Sequence, residues 1–134
     1  MPTLNIEHFA CNVSDPAGMA AWYVEHLGMR IVRRNTAAPH IHFLADANER
    51  VVIEVYSNSA DAVPDYQTMH PLRFHLAFAA PDPDVARAAL VGAGATFVDE
   101  QTQPDGSRLV MLRDPWGLPL QLVKRATPLL AARI

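Results

Sequence analysis

The chain has 134 residues, half of them hydrophobic and 19% charged, which suits one domain with a substantial core. A net charge of −3 and the lack of a basic run argue against nucleic-acid binding. No stretch approaches the roughly 18 apolar residues of a membrane span, and the single Cys11 rules out an internal disulfide. We therefore expect a cytoplasmic protein that binds neither membranes nor nucleic acid.

The first half of the chain, residues 4–57, predicts a strand, a helix and three further strands. Asp15 is typical of a helix N-cap and Pro16 of the first helical position, while Gly28 is typical of a helix end. The predicted helix therefore runs from Pro16 to Leu27. Strands are expected over residues 4–13, 29–34, 40–45 and 51–56, with a hairpin turn at 46–49.

The second half of the chain repeats this order. A polar connector over residues 58–71 precedes it, and a tail over residues 125–134 follows it. A helix is expected to start at Asp82-Pro83 and to end near Gly92–Gly94, and strands are expected over residues 72–80, 96–100, 107–113 and 119–124. In the tail, Leu129, Leu130 and Ile134 are candidates for packing on the domain or on a partner subunit. The order βαβββ thus occurs twice, in module one (4–57) and module two (72–124).

An internal repeat relates the two modules residue by residue. His75 lies 67 residues after His8, and Asp-Pro follows each of these histidines at the same distance. The same offset carries Glu54 onto Gln121, together with their apolar neighbours. Because a repeat constrains architecture, we predict an α+β fold of two tandem βαβββ modules. They would form one concave, open-barrel mixed sheet with the helices outside, in a single domain over residues 1–134.

The repeated positions carry residue types that bind metals. The alternation of strand residues places them on the face opposite the apolar side chains. Two imidazoles, one carboxylate and one amide oxygen suit one borderline divalent ion, and the sequence does not choose among Zn²⁺, Ni²⁺, Fe²⁺, Mn²⁺ and Co²⁺. The ion would act as a Lewis acid next to a carbonyl. The predicted ligands are His8, Glu54, His75 and Gln121.

Three further residues are candidates for contacts with a substrate on the same face. By alternation His42 is assigned to the cavity, and Tyr56 and Arg73 share the parity of Glu54 and His75. Arg73 is suited to an anionic substrate group. Cys11 falls on the apolar face and is expected to be buried and inert.

Three segments carry a family resemblance. They are Ile6-Glu7-His8 leading into Val13-Ser14-Asp15, the helix end Trp22–Met29, and the turn 114–117 followed by Leu120–Val123. In this order and spacing, residues 4–124 resemble the vicinal oxygen chelate superfamily, which includes glyoxalase I, methylmalonyl-CoA epimerase, extradiol dioxygenases and bleomycin-binding proteins. The resemblance implies metal ligands on the first and last strands of each module, at the four positions named above. It also implies a homodimer with two equivalent sites.

The function follows from the site, since this scaffold hosts several chemistries. The resemblance favours a metal-dependent lyase or isomerase of the glyoxalase type, which chelates a small oxygenated substrate and transfers a proton next to a carbonyl. Gln121 stands where glyoxalase I often has its basic Glu, so the predicted proton acceptor is Glu54. Two alternatives stay open: an Fe²⁺ extradiol-type dioxygenase using His8, His75 and Glu54, and a non-catalytic drug- or metabolite-binding protein.

Overall fold

The computed structural model describes residues 2–130, and the chain divides into two compact units, Met1–Pro64 (unit 1) and Asp65–Ile134 (unit 2). Each unit is one βαβββ module with its own open, four-stranded mixed sheet, so the predicted α+β class and tandem modules are confirmed. Within the described part of the chain, no helix has the length and apolarity needed to cross a membrane. Of the predicted tail contacts, Ile134 lies outside the described residues, and Leu129 and Leu130 are exposed.

Unit 1 contains four strands and one helix. They are β1 (Phe9–Asn12), α1 (Pro16–Leu27), β2 (Arg30–Arg34), β3 (His42–Ala45) and β4 (Val52–Tyr56). The sheet order is β1-β4-β3-β2, in which β1 runs parallel to β4 and the other pairs are antiparallel. The helix begins where predicted, because the Asp15 side chain accepts a hydrogen bond from the Gly18 N–H at 3.0 Å. It ends at Gly28, whose φ of 68° places it in the left-handed region.

Unit 2 repeats this topology. Its elements are β5 (Leu76–Ala79), α2 (Pro83–Gly92), β6 (Thr96–Thr102), β7 (Arg108–Arg113) and β8 (Pro119–Lys124), in the sheet order β5-β8-β7-β6. The first strand of each unit is shorter than the sequence predicts. β1 begins at Phe9 rather than residue 4, and β5 begins at Leu76 rather than residue 72. Each pairs with its own unit's last strand over four residues, so the earlier residues have no partner strand in that unit's sheet.

Each helix covers one face of its own sheet. α1 packs on β2, β3 and β4, and α2 packs on β6, β7 and β8. The side chains between them are almost fully buried; they include Tyr23, Leu44 and Val55 in unit 1, and Leu90, Val110 and Leu120 in unit 2. Burying one such side chain contributes about 1.5–3 kcal/mol. The opposite face of each sheet carries Glu54 in unit 1 and Gln121 in unit 2, and we call it the polar face.

Candidate functional site

Strand register confirms the 67-residue repeat where the first and last strands pair. Phe9 pairs with Ile53 in unit 1, and Leu76 pairs with Leu120 in unit 2, with both partners shifted by 67. One residue further along, Ala10 pairs with Glu54 and Ala77 pairs with Gln121. Because directly paired residues point to the same side of a sheet, Glu54 and Gln121 occupy equivalent places on the faces opposite the helices.

Unit 1 brings His8 and Glu54 together. His8 Nε2 lies 3.5 Å from Glu54 Oε1, and the His8 ring meets the Phe43 ring edge-on with centroids 5.6 Å apart. The Glu54 side chain is only 14% exposed and that of His8 is 34% exposed. A separation of 3.5 Å is longer than a normal N–H···O hydrogen bond. It matches the roughly 3.4 Å between two ligand atoms that each lie about 2.1 Å from one tetrahedral ion. The pair therefore fits a divalent metal.

In unit 2, His75 is held with one ring nitrogen available. Its Nδ1 lies 2.9 Å from the Pro71 carbonyl oxygen. Since a carbonyl only accepts, Nδ1 is the donor, and the Nε2 of the neutral ring keeps its lone pair. Metal-binding histidines are commonly oriented by such a bond to the backbone. His75 lies two residues before Ala77, which shares its face with Gln121.

The four predicted ligands are thus divided between the units: His8 and Glu54 are close together in unit 1, whereas in unit 2 no hydrogen bond or ion pair among the described residues joins His75 to Gln121. Across residues 2–130, no three His, Cys, Asp or Glu side chains form a group that could hold a metal ion. The amide of Gln121 is not among those residue types. The four-residue metal site therefore stays a prediction.

His42 is not on the face that the sequence predicted. It pairs with Val55, whereas its neighbour Phe43 pairs with Glu54. His42 is consequently on the helix-covered face, where it is 5% exposed and its Nδ1 lies 2.8 Å from the His40 carbonyl oxygen. Alternation alone was ambiguous, because β3 carries a large apolar residue on either face, Phe43 on one and Leu44 on the other. The pairing register decides between them.

The other two predicted substrate contacts have different outcomes. Tyr56 lies two residues after Glu54 in β4 and pairs with Asn12, so it shares the face of Glu54 as predicted. Arg73 precedes β5 and lies in a turn, with its backbone N–H bonded to the His70 carbonyl at 2.9 Å. Its predicted position on the inner face of a strand is wrong, because the strand begins three residues later. The Arg73 residue is exposed.

The structure places charged residues on the polar faces that the sequence analysis missed, among them Arg33 and Asp99. In unit 1, Arg33 pairs with Phe43, which pairs with Glu54. In unit 2, Asp99 pairs with Met111, which pairs with Gln121. Each face therefore has a row across its four strands, which ends in a charge at one edge and an alanine at the other. The unit 1 row is Arg33, Phe43, Glu54 and Ala10, and the unit 2 row is Asp99, Met111, Gln121 and Ala77.

A bulge explains why these charges were missed. The register shifts between Ile31 and Arg33 in β2, and at the equivalent place between Phe97 and Asp99 in β6. A bulge inserts one extra residue and reverses the alternation beyond it. Simple alternation from the strand start assigns Arg33 and Asp99 to the helix-covered faces. The extra valine, Val32 or Val98, moves them to the polar faces.

A cavity of about 250 Å³ lies on the polar face of unit 2. Its apolar wall includes Leu72, Val98, Leu109 and Met111. Its polar groups include Asp99 and Gln121, the charge and the amide of the row described above. A mostly apolar lining with a few polar groups is typical of small-molecule sites.

Arg113 fixes the segment that closes one side of this cavity. Its guanidinium donates hydrogen bonds to the carbonyl oxygens of Tyr66 at 2.7 Å, Met69 at 2.8 Å and Gly117 at 3.2 Å. This segment continues into Pro71, which lines the cavity and whose carbonyl orients His75. Arg113 thereby couples the end of β7 to the placement of His75.

The fold and the paired polar faces define a two-module α+β protein whose modules carry equivalent candidate ligand positions. The chain belongs to the glyoxalase-like domain family, whose model matches residues 8–123. This family match confirms the vicinal oxygen chelate resemblance, and solved structures named as members of the glyoxalase, bleomycin resistance protein and dioxygenase superfamily share the fold. No curated protein matches the sequence.

Three solved structures illustrate the range of similar proteins. A glyoxalase family protein from Bacillus cereus has a TM-score of 0.77 at 17% identity, covering 92% of this chain and 95% of that chain. A glyoxalase family protein from Enterococcus faecalis has a TM-score of 0.67 at 28% identity, covering 90% and 97%. An antibiotic-binding protein from a Streptomyces species has a TM-score of 0.70 at 19% identity, covering 91% and 96%. Within this fold, the site has to distinguish an enzyme from a binding protein.

Proposed function

We propose that the chain is a metal-dependent lyase or isomerase of the glyoxalase type, acting on a small oxygenated substrate. The observation that carries the proposal is the 3.5 Å separation between His8 Nε2 and Glu54 Oε1 on the sheet face opposite the helix. Divalent-metal ligands would be His8 and Glu54 from unit 1, and His75 and Gln121 from unit 2. As a homodimer in the cytoplasm, the protein would carry two equivalent sites.

Glu54 is the proposed proton acceptor. It supplies the only carboxylate of the ligand set, whereas the amide of Gln121 cannot take a proton at neutral pH. A divalent ion bound there would polarise the substrate oxygens as a Lewis acid. Glu54 would remove the proton from the carbon next to the substrate carbonyl, and a carboxylate held within reach of that carbon suits general base catalysis. His8 and His75 would act only as neutral ligands.

Metal analysis tests the ligand set. Protein purified without an affinity tag or chelator should contain about one divalent ion per chain. His8→Ala and His75→Ala should lose that ion, while His26→Ala should keep it, because His26 lies on α1 outside the proposed set. Wild-type protein that takes up no Zn²⁺, Ni²⁺, Fe²⁺, Mn²⁺ or Co²⁺ on reconstitution would rule out the metal-dependent function.

Proton transfer tests the assignment of Glu54. With hydroxyacetone as a probe in D₂O, metal-loaded wild type should introduce deuterium next to the carbonyl, which NMR detects. Glu54→Gln keeps the shape of the side chain but removes the base, so we expect a folded protein without exchange. Exchange that persists in Glu54→Gln would show that another group is the base. O₂ uptake with a catechol and Fe²⁺ would instead indicate the dioxygenase.

A binding protein without turnover is the second candidate function. The cavity of unit 2 favours it, because its apolar wall suits an organic ligand regardless of any metal. The similarity to an antibiotic-binding protein points the same way. The two candidates separate cleanly: the enzyme exchanges protons at a carbon of its substrate, whereas the binding protein returns its ligand unchanged.

A further inference from the structure

The polar face of unit 2 presents one carboxylate at a defined distance from the Gln121 amide. Asp99, Met111 and Gln121 occupy consecutive strands in one row. Because neighbouring strands lie about 4.8 Å apart, the Cα atoms of Asp99 and Gln121 are separated by roughly 10 Å. Both residues line the same cavity, and Met111 lies between them. A molecule that spans the row would meet an amide, then a thioether, and then a carboxylate.

Asp99 is the only residue with a formal charge in the lining of this cavity. No lysine or arginine is among the lining residues that the structure describes. His70 also lines the cavity, and its Nδ1 accepts a hydrogen bond from the Leu72 N–H at 3.1 Å. With histidine counted as neutral, the formal charge of this lining is −1, from Asp99, which favours a cation over a neutral or anionic ligand.

Within residues 2–130, no ion pair accounts for this charge. The other acidic residues of β6 and α2 are used in ion pairs: Glu100 and Asp84 both lie within 2.9 Å of Arg108 guanidinium nitrogens. For Asp99, no ion pair or side-chain hydrogen bond occurs among the described residues. Glu100 is its neighbour in the same strand and points to the opposite face. Position 99 thus combines a cavity, a carboxylate and the absence of a competing cation.

We propose that Asp99 is the specificity-determining residue of the unit 2 cavity and selects small molecules that carry a cationic amine. The inference deepens the proposed function by naming the class of ligand, and it rests on that function only for the assumption that the polar face of unit 2 receives the ligand. The amine binds at Asp99, and the apolar body of the ligand packs against Val98, Leu109 and Met111. No metal is needed for this part of the recognition.

The test compares probes of similar shape and different charge. Benzylamine, benzyl alcohol and benzoate are titrated into chelator-treated, ¹⁵N-labelled full-length protein, and dissociation constants are taken from the amide shifts of β6 and β7. We expect benzylamine to bind at least 10-fold more tightly than benzyl alcohol, and benzoate to bind most weakly. Asp99→Asn should bring benzylamine and benzyl alcohol to within about twofold.

Glu100→Gln is the matched control, since it makes the same charge change one residue away on the opposite face. It should keep the wild-type preference. Equal binding of amine and alcohol by wild type, no binding of benzylamine at 20 mM, or an unchanged preference in Asp99→Asn would each overturn the proposal. Metal analysis of the same wild-type protein before chelator treatment, and again after reconstitution with a divalent metal, separates the two ideas. If the protein binds no metal but keeps the amine preference, only the proposal of a metal-dependent function is refuted. If it binds a metal but shows no amine preference, only the proposed role of Asp99 is refuted.

Discussion

Replacing Arg113 by methionine tests how the cavity segment of unit 2 is held. The substitution keeps the length of the side chain and its apolar stem but removes all three hydrogen bonds to the carbonyls of Tyr66, Met69 and Gly117. Two of these bonds, at 2.7 and 2.8 Å, have the short distances of charge-assisted hydrogen bonds. The carbonyl of Tyr66 would keep its hydrogen bond from the Met69 N–H at 3.2 Å, so the loss is greatest for the contact between Arg113 and the segment as a whole.

The size of the effect follows from these contacts. A hydrogen bond to a charged group contributes about 1.5–3 kcal/mol, but three bonds from one side chain are not additive and Arg113 is only half-buried. We expect the free energy of unfolding to fall by about 3 kcal/mol. For a chain of this size, that corresponds to a fall in Tm of about 10 °C.

Urea denaturation and native-state hydrogen exchange measure both consequences. The amides of residues 66–70 and of His75 should exchange at least 10-fold faster in Arg113→Met. The amides of α2 should exchange faster only by the factor that the lower global free energy of unfolding predicts. Arg73→Met is the control, because it removes an exposed arginine from the same region. A loss below 1 kcal/mol with unchanged exchange of the segment would refute the idea that Arg113 anchors it.

Two further predictions concern the backbone and the thiol. Gly117→Ala should destabilise more than Gly106→Ala: both glycines have φ near +90°, but a Cβ at 117 would lie 2.7 Å from Gln67 Cα and one at 106 would meet nothing within 4 Å. In urea denaturation, the free energy of unfolding should fall by about 1–2 kcal/mol in Gly106→Ala because of backbone strain, and by more in Gly117→Ala. Equal decreases would show that the close approach to Gln67 has no energetic cost. Burial raises the pKa of the Cys11 thiol, so less thiolate forms near pH 8 and iodoacetamide should alkylate it several-fold more slowly in the native protein than in guanidinium. A native rate equal to the unfolded rate would contradict this.

The sequence was most informative where the two modules match residue for residue. The offset that relates His8 to His75 also relates the β1–β4 pairing to the β5–β8 pairing, so the positions of Glu54 and Gln121 could be predicted without a structure. The helix limits were equally accessible. Asp15 and Gly28 form local contacts whose chemistry depends on only a few neighbouring residues.

Predictions from alternation failed where the backbone departs from a regular strand. The turn between the paired residues Ala45 and Val52 holds six residues, whereas the turn between Arg113 and Pro119 holds five. The modules therefore fall out of step by one residue in β3 and β7, which aligns Phe43, not Leu44, with Met111. A one-residue slip exchanges the faces of a strand, and composition does not report it.

The two bulges have a similar origin. The sequence around Arg33 and that around Asp99 contain no glycine or proline to mark a distortion. Each bulge is visible only in the pairing with the neighbouring strand, which depends on residues more than ten positions away. Arg73 was misplaced for a related reason. The sequence pattern of a strand extends back to residue 72, whereas pairing with β8 begins only at Leu76.

Within the two polar rows, substitutions in the central strands and substitutions at the charged edge positions differ in their effect on stability. Phe43, Glu54, Met111 and Gln121 occupy central strands and are at least partly buried, so their replacement disturbs packing or the proposed ligand set. Arg33 and Asp99 are exposed residues next to bulges on edge strands, and substitutions at such surface positions usually change stability by less than about 0.5 kcal/mol. The two repeats carry opposite charges at these positions, an arginine in one and an aspartate in the other. The charge of each polar face can therefore change with little effect on the stability of the fold.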